Sequence, residues 1–199
     1  MVTEEMIELL LQSQDAELLD ESAEPSLPIA ALIATTAGDE LWASAQVLLA
    51  SPDPRRLILG TRLAREAIPF QAEAAEVLGA LLASESNQDV IWWLVRAFGF
   101  LNSESVTNLL PALARDESAR IRYNVATALA NCAELRPASL DALTELARDD
   151  DAEVRFSAVY ELGAWWVLDH DPHVRGTLER ALPDSAPFVA KAAADALEN

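Results

Sequence analysis

The sequence is poor in the residue types that many reactive sites require. It holds one cysteine, two histidines and six glycines among 199 residues. The lone Cys132 cannot form an internal disulfide, and we interpret it as a small buried thiol in a reducing compartment. No glycine-rich phosphate loop, nucleophile elbow or Cys/His pairing is present. We therefore predict a protein that is not an enzyme and carries no cofactor.

The two histidines lie close together, at positions 170 and 173, in the segment 169–173 (DHDPH). Two imidazoles and two carboxylates are ligands that a divalent metal accepts. The spacing fits a turn instead, and Pro172 is suited to start a helix, so we interpret the segment as a helix-capping loop. The acidic segment 149–153 lacks the alternating spacing and the glycine of a calcium loop. We predict no metal site.

Basic residues are also scarce, and they are unevenly placed. The chain has 14 Lys and Arg against 33 Asp and Glu, and residues 1–54 contain eleven carboxylates and no Lys, Arg or His. The net charge of -19 repels nucleic acid and acidic membrane surfaces and favours encounters with basic partners. The same charge is also explained by solubility alone. We expect a protein partner of basic character, no nucleic acid and no membrane.

Long apolar runs are missing as well. No stretch of about 18 uncharged apolar residues is present, which argues against a membrane-spanning helix. The chain begins with Glu4, Glu5 and Glu8 and has no basic leader, so the start does not look like a secretory signal and we expect a cytoplasmic protein. Ala and Leu supply much of the 51% hydrophobic content, and these strong helix formers favour an all-α fold.

What the sequence does contain is an internal repeat. Four stretches, 89–99, 120–130, 153–163 and 188–198, can be aligned on apolar residues at the second, sixth and tenth positions. The first apolar positions are Val90, Ile121, Val154 and Val189, which lie 31, 33 and 35 residues apart. Self-similarity at this period predicts a stacked array of helices.

The repeated unit resembles a HEAT repeat, in particular the HEAT-like repeats of bacterial proteins and of phycobilisome lyase relatives. It reads RDDDAEVRFSAVYELG at 148–163 and RDESARIRYNVATALA at 115–130. The copies at 87–93 (NQDVIWW) and 186–191 (APFVAK) carry Ile91 and Ala190 where arginine is usual, and the segment from Asp53 resembles a degenerate earlier copy. The resemblance covers about three quarters of the chain and is informative about architecture.

The resemblance implies a right-handed α-solenoid of stacked antiparallel helix pairs, with about five or six repeats. We expect one such array over residues 1–199, in which 1–38 form an atypical acidic cap and 39–199 form the repeats. Solenoids of this kind usually work as binding surfaces.

A helical wheel identifies candidate binding residues on the second helix of each repeat. With Val154 as zero and about 100° per residue, the side opposite the core is reached two, six and nine positions further on. The first of these positions carries Trp92, Tyr123, Phe156 and Lys191 in successive repeats. The small residues at the third position, Gly99, Ala130 and Gly163, would leave room beside the rings. The candidate partner-binding residues are Trp92, Arg96, Tyr123, Thr127, Phe156, Tyr160 and Lys191.

Aromatic side chains on the non-core side are typical of interfaces, because they bring large contact area at low entropic cost. We therefore predict a non-enzymatic protein-binding module with an aromatic groove in acidic surroundings. It could be an immunity or inhibitor protein against a basic domain, or a regulatory adaptor. A structural role remains open, in which the rings only fill space between repeats.

Two alternatives follow from the family resemblance. A chromophore-binding protein of the phycobilisome lyase type would use an aromatic groove for a linear tetrapyrrole. A HEAT-like DNA glycosylase would place aromatic residues and a carboxylate, such as Asp195, on the concave face. The charge opposes the second alternative, because phosphate binding requires cationic contacts.

Overall fold

The structure, a computed structural model, describes residues 3–18, 27–101, 108–131, 137–169 and 171–198. Within these ranges the regular elements are α-helices and one 3-10 turn, Ile68–Phe70. The helices are α1 Glu4–Leu18, α2 Leu27–Thr35, α3 Gly38–Leu49, α4 Pro54–Glu66, α5 Gln71–Leu82, α6 Gln88–Phe98, α7 Leu110–Leu113, α8 Ala119–Ala130, α9 Pro137–Leu146, α10 Ala152–Asp169, α11 Pro172–Ala181 and α12 Pro187–Leu197. Cys132 and His170 lie outside the described residues.

None of the described helices combines the length and apolar character needed to cross a membrane. The chain forms two compact units, an N-terminal unit of residues 1–97 and a C-terminal unit of residues 98–199. A single array over 1–199 with a cap at 1–38 stays a prediction.

In the N-terminal unit, α1 packs on α2 and α4, and α3 packs on α4. The α3–α4 contact is close at Gly60, where a Cβ atom would lie 2.9 Å from Leu49. Asp53 caps α4 by accepting a hydrogen bond from the backbone N–H of Arg55, and Pro54 follows at the first helical position. Proline fits there because that N–H has no partner within a helix.

In the described residues of the C-terminal unit, the helices form three pairs, α7 with α8, α9 with α10, and α11 with α12. The second helices of the pairs pack side by side, with α10 between α8 and α12. This order is the stacking expected of a helical repeat. It places the corresponding positions of α8, α10 and α12 next to one another.

The phase of the predicted helical wheel agrees with the burial of the core positions. Ile121, Val154 and Val189 are 1% exposed or less, and so are the residues four positions after them. Leu197, the last core position of α12, is only half-buried. The predicted core positions of α8 and α10 are therefore correct. In α12, burial decreases at the final turn.

An arginine connects each repeat of the C-terminal unit to the next. Arg122 donates to both carboxylate oxygens of Asp149 at 2.7 and 2.8 Å. Arg155, at the same motif position one repeat later, donates to both oxygens of Asp184 at 2.8 and 3.0 Å. Each arginine also donates to two backbone carbonyls of its own preceding loop. The arginine of the sequence motif is thus a structural link.

These ion pairs move the pKa values of their acids. A hydrogen bond from Arg155 lowers the pKa of Asp184, and burial opposes this only in part. Burial alone would raise the pKa of Asp149, but hydrogen bonds from Arg122 and from the Asp151 backbone outweigh it and lower that pKa. Both carboxylates are therefore charged in the folded protein at neutral pH.

Candidate functional site: an aromatic cleft in the C-terminal unit

The sequence-predicted residues of the C-terminal unit lie on three adjacent helices. Tyr123 and Thr127 are on α8, Phe156 and Tyr160 on α10, and Lys191 on α12. Tyr160 is 62% exposed and Tyr123 is 37% exposed, whereas Phe156 and Thr127 are half-buried. The two tyrosine rings on this face are thus exposed to solvent, and the Phe156 ring is partly buried.

A cleft of about 450 Å³ opens between α10 and α12. Three of the predicted site residues line it, namely Phe156, Tyr160 and Lys191. The remaining lining residues are Gly163, Ala164, Phe188, Ala192, Asp195 and Ala196. The volume lies in the range of sites that bind small molecules or a few side chains.

The cleft is built around three aromatic rings. The centroid of the Phe156 ring lies 6.0 Å from that of Tyr160, with a tilt of 33°, and 5.6 Å from that of Phe188, nearly edge to face at 70°. These spacings fall in the favourable range for aromatic pairs. The contacts hold Phe156 at the centre, while Tyr160 and the 40% exposed Phe188 keep free surface.

Phe188 was missed by the sequence analysis, which considered only positions after the core residue. It stands one position before Val189, at about 260° on the wheel, close to the roughly 240° of Tyr160. The wheel angle of Phe188 could therefore have identified it as a candidate binding residue. Asp195, six positions after Val189 and thus on the non-core side of the same wheel, also lines the cleft.

Gly163, which is predicted to leave room beside the rings, lines the cleft and is itself buried. A Cβ atom on it would lie 2.8 Å from the Cβ of Ala196. The absent side chain lets α10 and α12 approach closely.

The charged groups of the cleft are paired. Lys191 forms an ion pair with Asp195 one turn along α12, and both side chains are well exposed, 72% and 59%. Surface pairs of this kind are weak because water and salt screen them. Lys191, one of the predicted partner-binding residues, lines the cleft.

Thr127 belongs to a polar seam between α8 and α10. Its hydroxyl lies 3.4 Å from that of Ser157, which donates at 3.2 Å to the backbone carbonyl of Tyr123. Burial raises the pKa of Glu161 in this seam, and a hydrogen bond from Thr127 partly offsets the effect. The Thr127 hydroxyl is therefore connected to the Tyr123 backbone through Ser157.

Trp92 and Arg96 lie on α6 in the N-terminal unit. The Trp92 and Trp93 rings meet edge to face at 4.8 Å, and the Arg96 guanidinium lies 5.3 and 5.7 Å from their centroids. On the other side, Arg62 of α4 lies 4.8 Å from the Trp93 centroid. These are cation–π contacts. Their membership of one groove with the residues of the C-terminal unit stays a prediction.

The histidine segment forms a helix cap in its described part. Asp171 accepts a hydrogen bond from the backbone N–H of His173 at 2.7 Å, and Pro172 begins α11. Across the described ranges, no group of three or more His, Cys, Asp and Glu side chains is arranged to hold a metal ion.

Several solved structures share this fold. The X-ray structure of YibA from Escherichia coli aligns with a TM-score of 0.71 at 14% identity, over 96% of this chain and 69% of that chain. A designed armadillo repeat protein in complex with the peptide (KR)4 aligns with a TM-score of 0.64 at 19% identity, over 98% and 97% of the two chains. A second designed armadillo repeat protein aligns with a TM-score of 0.62 at 21% identity, over 95% and 98%.

The fold is thus an all-α repeat solenoid of the HEAT and armadillo type, a scaffold typical of protein-binding modules. The sequence model of the family described as HEAT repeats matches residues 75–163. Residues 75–163 are therefore similar to HEAT repeats, which agrees with the resemblance of the motifs at 115–130 and 148–163. No curated protein sequence matches the chain.

Proposed function

We propose that this protein is a non-enzymatic binding module whose C-terminal unit holds a basic protein segment in the aromatic cleft. The observation that carries the proposal is the meeting of three rings, Phe156, Tyr160 and Phe188, around one cleft. Two of these rings remain exposed, and exposed aromatic patches usually mark binding sites. Tyr123 on the neighbouring helix extends the same surface.

Charge supports a basic partner. Residues 98–199 hold 17 Asp and Glu against 9 Lys and Arg, and the whole chain has a net charge of -19. Such a field accelerates association with cationic surfaces. The designed armadillo repeat protein of similar fold was solved with the peptide (KR)4, an alternating lysine and arginine chain. An immunity or inhibitor protein would bind its target in this way, and so would a regulatory adaptor.

The same charges argue against DNA as the ligand. Among the described residues, Lys191 is the single cation that lines the cleft, and it already pairs with Asp195. Binding to phosphates needs several cationic contacts. A bound tetrapyrrole, by contrast, would give visible absorbance in the purified protein, which is a simple measurement that separates a chromophore protein from a peptide-binding one.

The proposal is tested with the labelled peptide (KR)4 as the probe, and with a Gly-Ser octapeptide as the uncharged control, by fluorescence anisotropy on the full chain. The double variant Phe156→Ala/Tyr160→Ala removes two cleft rings without changing charge. We expect it to weaken binding by at least about tenfold, because aromatic anchors dominate interfaces.

The matched control is Leu182→Ala, which removes a 43% exposed apolar side chain outside the cleft and should leave the affinity unchanged. Equal binding by the wild type and the double variant, or no binding of the peptide to the wild type, would overturn the proposal. Tyr123→Ala and Trp92→Ala then measure how far the surface extends, and we propose that both weaken binding less than the double variant does.

A further inference from the structure

Resting on the proposed function, we infer that the cleft receives an arginine side chain of the partner, that Asp195 is its counter-ion, and that Lys191 occupies this place in the free protein. The inference reverses the role of Lys191. The lysine is then a competitor that the partner displaces, and it is no longer a contact that helps to hold the partner.

The walls of the cleft suit a planar cation. Ring faces attract cations through their quadrupole, and arginine is the cation that most often stacks on them. Phe156, Tyr160 and Phe188 present rings at different tilts, 33° and 70° to one another in the two neighbouring pairs. A guanidinium can therefore lie over one face while its stem contacts another.

A carboxylate stands beside these rings. Asp195 lines the same cleft and is 59% exposed, so an incoming group can reach its oxygens. The fork of a guanidinium can donate two hydrogen bonds to one carboxylate, whereas an ammonium acts as a point charge. Rings and carboxylate together therefore favour arginine over lysine.

Lys191 occupies the position of the expected ligand cation. Its ammonium pairs with Asp195 one turn away on α12, and 72% of its side chain is exposed. A pair so exposed is weak, and its replacement by a partner's arginine costs little. Lys191 is thus a cation of the chain itself that the partner's arginine can displace from Asp195.

The test uses two octapeptides of equal charge, (RS)4 and (KS)4, titrated against the full chain by calorimetry. We expect (RS)4 to bind at least about threefold more tightly than (KS)4. Lys191→Gln should tighten the binding of (RS)4 by about three- to tenfold, because the competing cation is gone. Asp195→Asn should weaken it by a similar factor.

The matched control is Arg175→Gln. Arg175 pairs with Glu179 one turn away on α11, with 58% and 51% of the two side chains exposed, and neither residue lines the cleft. This variant makes the same change in net charge, so it reports the general electrostatic effect, which we expect to be less than about twofold.

The inference is overturned if Lys191→Gln leaves (RS)4 binding unchanged, weakens it, or tightens it no more than Arg175→Gln does. It is also overturned if (KS)4 binds as tightly as (RS)4. The proposed function is still supported after these results if Phe156→Ala/Tyr160→Ala binds the peptide more weakly than the wild type does. If the ring variant binds normally, both proposals fail.

Discussion

Arg155 joins two consecutive repeats by holding both carboxylate oxygens of Asp184, with N–O distances of 2.8 and 3.0 Å. The two side chains are only 15% and 12% exposed. Arg155→Ala removes this bidentate pair and the two hydrogen bonds to the carbonyls of Asp149 and Asp150. We expect a loss of about 2–4 kcal/mol in the free energy of unfolding, measured in urea.

The control for this prediction is Arg115→Ala. Arg115 also makes a bidentate pair, with Glu145 at 2.7 and 3.0 Å, but it is 77% exposed. Because solvent screens an exposed pair, we expect its urea midpoint to stay close to that of the wild type. Similar losses in the two variants would contradict the view that burial gives the Arg155 link its strength.

The lowered pKa of Asp184 makes its contribution depend on pH. A carboxylate whose pKa is lower in the folded state stabilises the fold above its unfolded pKa of about 3.9 and loses this effect as pH falls through the folded value. The stability difference between the wild type and Asp184→Asn should therefore be constant above about pH 5 and shrink below about pH 4. Urea titrations at several pH values measure it, and a difference that grows on acidification is the opposite of this expectation.

The contact between Gly163 and Ala196 gives a prediction that a double-mutant cycle can isolate. Gly163→Ala places a methyl group 2.8 Å from the Cβ of Ala196, and we expect it to destabilise the fold by about 1–3 kcal/mol. Ala196→Gly alone should cost about 1 kcal/mol through helix propensity.

The double variant Gly163→Ala/Ala196→Gly exchanges the two side chains and relieves the overlap, so its stability should return to near the wild-type value. Thermal unfolding of the four proteins provides the measurement. Purely additive losses would mean that the two positions do not touch.

Much of the fold could be predicted from the sequence because core positions recur with a helical period. The apolar residues at Ile121, Val154 and Val189 specified the buried face of each second helix, and burial agrees with that phase. The HEAT resemblance of 115–130 and 148–163 likewise agrees with the family match over 75–163. Local pattern was sufficient here, since side-chain direction in a helix follows from position alone.

The candidate site could be predicted only in part. A wheel gives the direction of Phe156 and Tyr160, but it does not tell how closely two helices approach. The wheel predicts free space at Gly163, whereas a Cβ atom on this residue would lie 2.8 Å from the Cβ of Ala196 on α12. Phe188, one position before the core residue Val189, has a wheel angle close to that of Tyr160, but its contact with Phe156 depends on how α10 and α12 pack.

The carboxylate partners of the motif arginines could not be predicted from the sequence either. The motif arginines Arg122 and Arg155 could be recognised, but their partners Asp149 and Asp184 lie 27 and 29 residues further along the chain. Only the stacking of the helix pairs brings each arginine to the loop of the following repeat. Spacing between repeats, unlike spacing within a helix, depends on how the helices pack.

The most direct test of the central claim is to map the binding site of (RS)4 by NMR on the full chain, following the aromatic ring, methyl and backbone amide signals during the titration. The account predicts that the rings of Phe156, Tyr160 and Phe188 shift together and saturate at one affinity, and that the exposed Ile68 and Leu182 do not respond. Shifts confined to the acidic loop at 149–151, or spread evenly over the surface with the rings unchanged, would contradict it.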